Sequence, residues 1–257
     1  MLRFVSLIAT VIVLAVNACA NLIPINGYNT GQLSALYPTG FTPAGWVFSI
    51  WSLIYVGLIA LSVWAIRVSG PAAERFASIR GAYLVSCAAN ALWIIVWHYR
   101  QILASLIVML VLLASLALVY LRLRRSQPRT FAERACLDWP VSLYFGWITT
   151  ATIVNLSAWF FDRGAYPFGL SMDEWALVSV TVAIGTFAAV GVRNRDPIYV
   201  AVFAWASLGI VLQRLEISAA VRTAAAAACA VAACAVIALL VERFVNARRA
   251  TAAAPTR

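Results

Sequence analysis

From Trp139 to Phe161 the chain carries no charged side chain, and seven other stretches are almost as apolar: Phe4 to Asn21, Trp46 to Ile66, Gly81 to Trp97, Gln101 to Leu121, Trp175 to Val192, Ile198 to Gln213 and Val221 to Val241. Each holds about 16 or more residues, close to or above the length that carries a helix through roughly 30 Å of hydrocarbon. With 64% of residues hydrophobic, 11% charged and a mean hydropathy of +0.91, the surface cannot be that of a soluble domain. The expected fold class is all-α: a polytopic membrane protein of about eight transmembrane helices.

The net charge of +10 comes from 19 arginines, since lysine is absent. With a cytoplasmic N-terminus, the inner flanks hold Arg3, Arg67, Arg75, Arg80, Arg122, Arg124, Arg125, Arg129, Arg134, Arg193, Arg195, Arg243, Arg248, Arg249 and Arg257. Only Arg100, Arg163, Arg214 and Arg222 are left for the outer flanks. That asymmetry predicts both termini inside. The positive charge is then an orientation signal, and nucleic acid is not an expected partner. The first segment also reads as a leader, because a lone arginine, a short apolar run and Ala18-Cys19-Ala20 resemble a cleavable signal. Its removal would leave seven spans in the same orientation. The five cysteines show no metal-ligand spacing and read as small buried hydrophobes.

Most connections are short, as between antiparallel neighbours. The exception runs from Leu22 to Gly45 and contains Pro24, Gly27, Gly31, Pro38, Gly40 and Pro43 as helix breakers. Leu33, Leu36, Tyr37 and Phe41 give this loop an apolar surface, suited to a lid over a cavity or to lying on the membrane interface. The basic loop from Arg122 to Asp138 is expected to rest on anionic headgroups or to act only as a topogenic signal. The alanine-rich last segment suits close helix packing.

No segment carries Asp, Glu, Lys, Arg or His in its central part, which weighs against proton-coupled transport, hydrolysis and metal catalysis. His98, the one histidine, stands at the end of the third segment, where an interfacial or capping role is expected and an axial haem ligand is the alternative. Aromatic and amide groups remain. Tyr144, Trp147, Ala151 and Asn155 stand at offsets of 3, 7 and 11, within about 80° of arc at about 100° per residue, and so form one stripe. Phe48, Trp51 and Tyr55 repeat offsets of 3 and 7 on the second segment, and Asn90 and Trp93 are three apart on the third. These faces predict three walls of a cavity in the outer half of the membrane; ordinary helix packing with hydrogen-bonded asparagines explains the same spacing. No catalytic residue and no metal site is expected.

The spacing of Tyr144, Trp147, Ala151 and Asn155, the pair Asn90 and Trp93, and the run TPAGWVFSIWSLIY from Thr42 to Tyr55 resemble the TspO/MBR family, the tryptophan-rich sensory proteins related to the mitochondrial translocator (peripheral benzodiazepine receptor) protein. The chain departs from that pattern by one residue fewer between Phe48 and Trp51, by a single Pro43 where the family has paired prolines, and by a proline displaced to Pro140. Members usually have five spans, so the resemblance implies a five-helix bundle over residues 1–161. It leaves a three-helix extension over 162–244 unexplained, and a disordered tail is expected over 245–257.

The resemblance further implies a cavity beneath the first loop that takes a porphyrin, a haem-like tetrapyrrole or another flat hydrophobic ligand. Phe48, Trp51, Tyr55, Asn90, Trp93, Tyr144, Trp147, Ala151 and Asn155 would be its ligand-binding residues. A sensory or regulatory role in a bacterial inner membrane goes with it, together with homodimerisation and contact with membrane lipid. Some members break down porphyrins in light through pocket tryptophans, for which Trp51 and Trp147 are the matching positions. A small transporter of a hydrophobic metabolite is the alternative, although no internal repeat supports one.

Overall fold

A computed structural model describes residues 2–128, 130–213 and 217–252. Arg129, Arg214 and Arg257, counted above for orientation, lie outside the described residues. In chain order the helices are α1 (Leu2–Leu22), α2 (Thr30–Ala35), α3 (Ile50–Arg67), α4 (Gly70–His98), α5 (Ile102–Arg124), α6 (Phe131–Glu133), α7 (Trp139–Asp162), α8 (Met172–Phe187), α9 (Pro197–Val211) and α10 (Ala219–Ala252). A 3-10 turn, Gly45–Ser49, leads into α3, and π turns at Arg134–Asp138 and Ala188–Val192 join α6 to α7 and prolong α8. The described residues contain no strand, and the protein is an all-α integral membrane protein.

Seven helical stretches are long and apolar enough to cross a bilayer: Phe4–Leu22, Gly45–Arg67, Gly70–His98, Ile102–Arg124, Phe131–Asp162, Met172–Val192 and Ala219–Asn246. The predicted segment Ile198 to Gln213 becomes α9, whose 15 residues rise only about 22 Å. The expected eight spans are thus seven of full length and one short helix. Neighbouring helices run antiparallel. One end of the bundle gathers Arg75, Leu123, Asp138, Arg195 and Glu242; the other lies under the long loop.

Helix α4 starts at Gly70, eleven residues before the apolar segment that marks it in the sequence. Pro71 occupies its first turn, where a missing N–H costs nothing, and the charge of Arg75 is neutralised locally. The Arg75 guanidinium lies 3.0 Å from Glu133 and 2.5 Å from Asp138, and it donates further bonds to Leu123 O and Ser126 Oγ. One side chain therefore ties α4, α5 and the entry to α7 together at the arginine-rich end. The last helix corrects another expectation. Residues 245–252, assigned above to a disordered tail, continue α10, as Ala and Arg, both strong helix formers, allow; residues 253–257 lie outside the described residues.

Helix α7 is the axis of the bundle. The most apolar part of the stretch Phe131–Asp162, which contains it, is 72% buried, against 22% for that of Ala219–Asn246 in α10. Helix α7 packs on α3, α5, α8 and α9, and its Gly146 lets α9 come close, since a methyl there would stand 3.2 Å from Val202. The three helices after residue 161 are not a separate layer. Helix α9 hydrogen-bonds to α7 between Tyr199 and Thr149 at 2.9 Å, and α10 packs along α9.

The Arg75 cluster yields a stability prediction. Removing the cation from between two carboxylates that are largely withdrawn from water should cost on the order of 3 kcal/mol. Arg75→Ala should lower the thermal unfolding temperature in detergent, read by circular dichroism, far more than Arg80→Ala.

Candidate functional site

Trp51, at the start of α3, is the hub of the aromatic cluster. Its ring stacks on Tyr55 at 5.6 Å and on Trp93 at 6.1 Å, and meets Tyr144 and Trp147 edge-on at 6.0 and 6.3 Å. Phe48 meets Trp147 edge-on at 5.6 Å, and Trp93 stacks on Trp97 at 6.1 Å. Tyr37 of the long loop continues the series onto Trp97 at 5.6 Å. The rings thus form a continuous path from α3 across α4 to the loop, with α7 closing the side.

Inside this cluster is a cavity of about 20 Å³. Six of the nine residues expected at the site line it: Phe48, Trp51, Trp93, Trp147, Ala151 and Asn155. Ser34, Pro43, Trp97 and Val154 complete the wall. Trp97 could have been found from spacing, since it stands four residues beyond Trp93 and shares its helix face. Ser34 and Pro43 come from the long loop, and no periodicity points to them. Phe48 belongs to the 3-10 turn, so its apparent phase with Trp51 and Tyr55 is not that of one α-helix.

The other three expected residues do not line the cavity. Tyr55 supports Trp51 from behind. Asn90 accepts a 2.7 Å bond from Asn17 Nδ2 and donates one of 2.7 Å to the Tyr144 hydroxyl, forming a ladder through α1, α4 and α7. An amide engaged on both sides is an interhelical lock, and Asn90, expected among the ligand-binding residues, stands outside the cavity. Asn155 has both roles. Its Oδ1 accepts from Trp93 Nε1 at 3.2 Å, its Nδ2 stands 3.0 Å from Ser105 Oγ, and it still faces the cavity.

Two further features adjoin the cluster. The indole N–H groups of Trp97 and Trp147 are buried without a hydrogen-bond partner among the described residues. A buried donor left unpaired costs about 1–3 kcal/mol. Next to the cavity, between the long loop and the end of α9, lies a vestibule of about 400 Å³ lined by Thr42, Pro43, Ala44, Trp46, Leu212 and Gln213. Pro43 borders both spaces. His98 lines neither; its Nδ1 is 2.8 Å from Ile94 O, and its carbonyl accepts from Asn26 of the loop. It ties the loop to α4.

The sequence profile of the family described as TSPO-like protein matches residues 3–240. The chain belongs to that family. The match runs through α8, α9 and most of α10, so the segment left unexplained beyond residue 161 lies within the family's matched span. Searches of curated proteins and of solved structures find no match. In this TSPO-like protein, α3, α4 and α7 carry the aromatic walls and the loop before α3 supplies the cover.

The division of labour between the two asparagines is testable. Asn90→Leu breaks two interhelical bonds, each worth roughly 0.6–1.7 kcal/mol in membrane bundles. It should lower the unfolding temperature while leaving the emission wavelength of the cavity tryptophans unchanged. Asn155→Leu, which strands the Trp93 N–H, should shift both.

Proposed function

We propose that this protein is a membrane ligand-binding protein of sensory or regulatory type, whose ligand is a flat apolar ring system such as a porphyrin held between Trp51, Trp93, Trp97 and Trp147. The observation that carries this reading is the pair of unpartnered indole donors in the wall of an aromatic cavity that no charge enters. Indole faces stack on a flat macrocycle, and N–H groups supply hydrogen bonds to acceptors on its edge.

Volume sets a condition. A cavity of about 20 Å³ holds about one water molecule, whereas small-ligand sites measure roughly 300–1,000 Å³. The chemistry of the walls fits a tetrapyrrole, and the closed form does not admit one. Binding therefore involves displacement of the cover formed by Pro43 and Phe48.

Protoporphyrin IX titrated into the purified protein should quench tryptophan emission saturably. Trp147→Ala and Asn155→Ala should each weaken binding by about tenfold, the loss expected for roughly 1.4 kcal/mol of stacking or hydrogen bonding. Asn90→Ala, outside the cavity, should bind as the parent does. Equal affinities in the parent and both cavity variants would remove the site, and a parent without saturable quenching would remove the ligand class.

The arginine asymmetry supports an inner-membrane orientation with the arginine-rich end and both termini cytoplasmic, and the cavity in the outer half. Reporter fusions read this directly. A phosphatase fusion at the C-terminus should be inactive and a cytoplasmic fluorescent fusion bright; the reverse pattern would overturn the orientation.

A further inference from the structure

The cover of the aromatic cavity is fastened to a helix that contributes nothing to the cavity wall. The Ala44 N–H donates to Gly209 O at 3.1 Å, and Trp205 Nε1 donates to Val47 O at 3.0 Å. The Trp46 and Trp205 rings meet edge-on at 4.7 Å. At Gly209 the approach is so close that a methyl group would overlap Val47 Cγ2 and stand 3.2 Å from Pro43 Cβ. All four contacts join residues 43–47 to the last two turns of α9. Helix α2 packs on the same segment from the other side, where a methyl group on Gly31 would stand 3.3 Å from Gly45 O.

The vestibule lies on the same seam. It opens between the segment and Leu212–Gln213, and Pro43 alone borders both it and the aromatic cavity. Moving Pro43 aside would join about 400 Å³ to the closed cavity and bring the whole into the range of small-ligand sites. Gln213, which also lines the vestibule, is 4% exposed, and neither its amide oxygen nor its amide nitrogen has a partner among the described residues. An amide in that condition is suited to a ligand edge that offers a donor or an acceptor.

We propose that α9 is the latch of the aromatic cavity, with Trp205 and Gly209 as positioning residues, and that a flat apolar ligand bearing a polar edge enters through the vestibule when the latch releases. This rests on the binding reading above. Release needs the segment's two hydrogen bonds, its ring contact and its close packing on Gly209 to part, while α9 stays seated on α7 through Tyr199 and Thr149.

The test uses the full-length protein in detergent and two readouts. Trp205→Phe keeps a ring against Trp46 but removes the bond to Val47 O; Gly209→Ala introduces the overlapping methyl group. Without ligand, hydrogen–deuterium exchange in peptides covering residues 42–50 should quicken by about fivefold in Trp205→Phe, the effect of one lost hydrogen bond, and more in Gly209→Ala. Peptides from α4 and α5 should exchange as in the parent. The association rate of protoporphyrin IX should rise by a similar factor, and Gly209→Ala with Val47→Ala should return toward parental exchange by making room for the methyl. Unchanged exchange at 42–50 in both variants would overturn the latch, as would a rise shared by α4 and α5. Faster exchange with an unchanged association rate would overturn its role in entry. A parent that binds no porphyrin would defeat the preceding reading alone, because the exchange measurement needs no ligand.

Discussion

Within hydrocarbon no water completes the hydrogen bonds of an amide or a hydroxyl, and the amide and hydroxyl side chains along α7 find their partners on another helix or on their own backbone. Tyr144 finds α4 through Asn90, and Asn90 in turn finds α1 through Asn17. Asn155 finds α5 through Ser105 and α4 through Trp93, while Thr149 finds α9 through Tyr199. Polar groups at successive levels of one helix thereby choose which neighbour lies on which side. Apolar packing supplies contact area, but lipid tails compete for it, so this polar register decides how the helices are arranged. The aromatic cavity lies beside the junction at Asn155, which joins α4 to α7 next to the rings of Trp93 and Trp147, while the ladder at Asn90 fastens the same helices at another level.

Much of this was legible in the sequence, in proportion to how local each signal is. Uncharged runs located the membrane helices, because the cost of a charge at depth is felt residue by residue. The stripe from Tyr144 to Asn155 was legible because helical periodicity is a property of one segment. Which of these residues face a cavity and which lock helices was not legible, because the answer depends on partners. Nothing near Asn90 in the chain shows that Asn17 will meet it. The true start of α4 was hidden for a similar reason: Arg75 reads as a flank until Glu133 and Asp138, some sixty positions later, are brought alongside it. Trp97 was within reach of spacing alone. Pro43 and Ser34 were not, since an irregular loop has no period to read.

The helices beyond residue 161 show how a family's pattern can extend past the part that carries its aromatic signature. Small residues make the junctions. Gly146 admits Val202 of α9 to α7, and Gly209 admits Val47 of the loop to α9. Gly40, where a methyl group would stand 2.7 Å from the Ala176 methyl, brings the same loop onto α8. A sequence of apolar helices with few distinctive residues looks like inert extension, because glycine contacts leave no motif. In the fold these helices brace both the wall and the cover of the cavity.

The energetics of the closed form follow from these contacts. Ring pairs contribute roughly 0.5–1.5 kcal/mol each beyond their buried area, and Trp51 alone makes four of them. Two unpaired indole donors work against closure by about 1–3 kcal/mol each. These opposed contributions are of the same order, so the collapsed cluster is not strongly self-stabilising. A flat ring system that replaces ring-on-ring contacts with its own faces, and that meets the two donors, would lose little by displacing the cluster. On the latch proposed above, the free energy that keeps the cavity closed would reside mainly outside it, in the hydrogen bonds and close packing between residues 43–47 and α9. In that proposal, control over the site is separated from the residues that would contact the ligand, so that the affinity of the rings and the opening of the cover could vary independently.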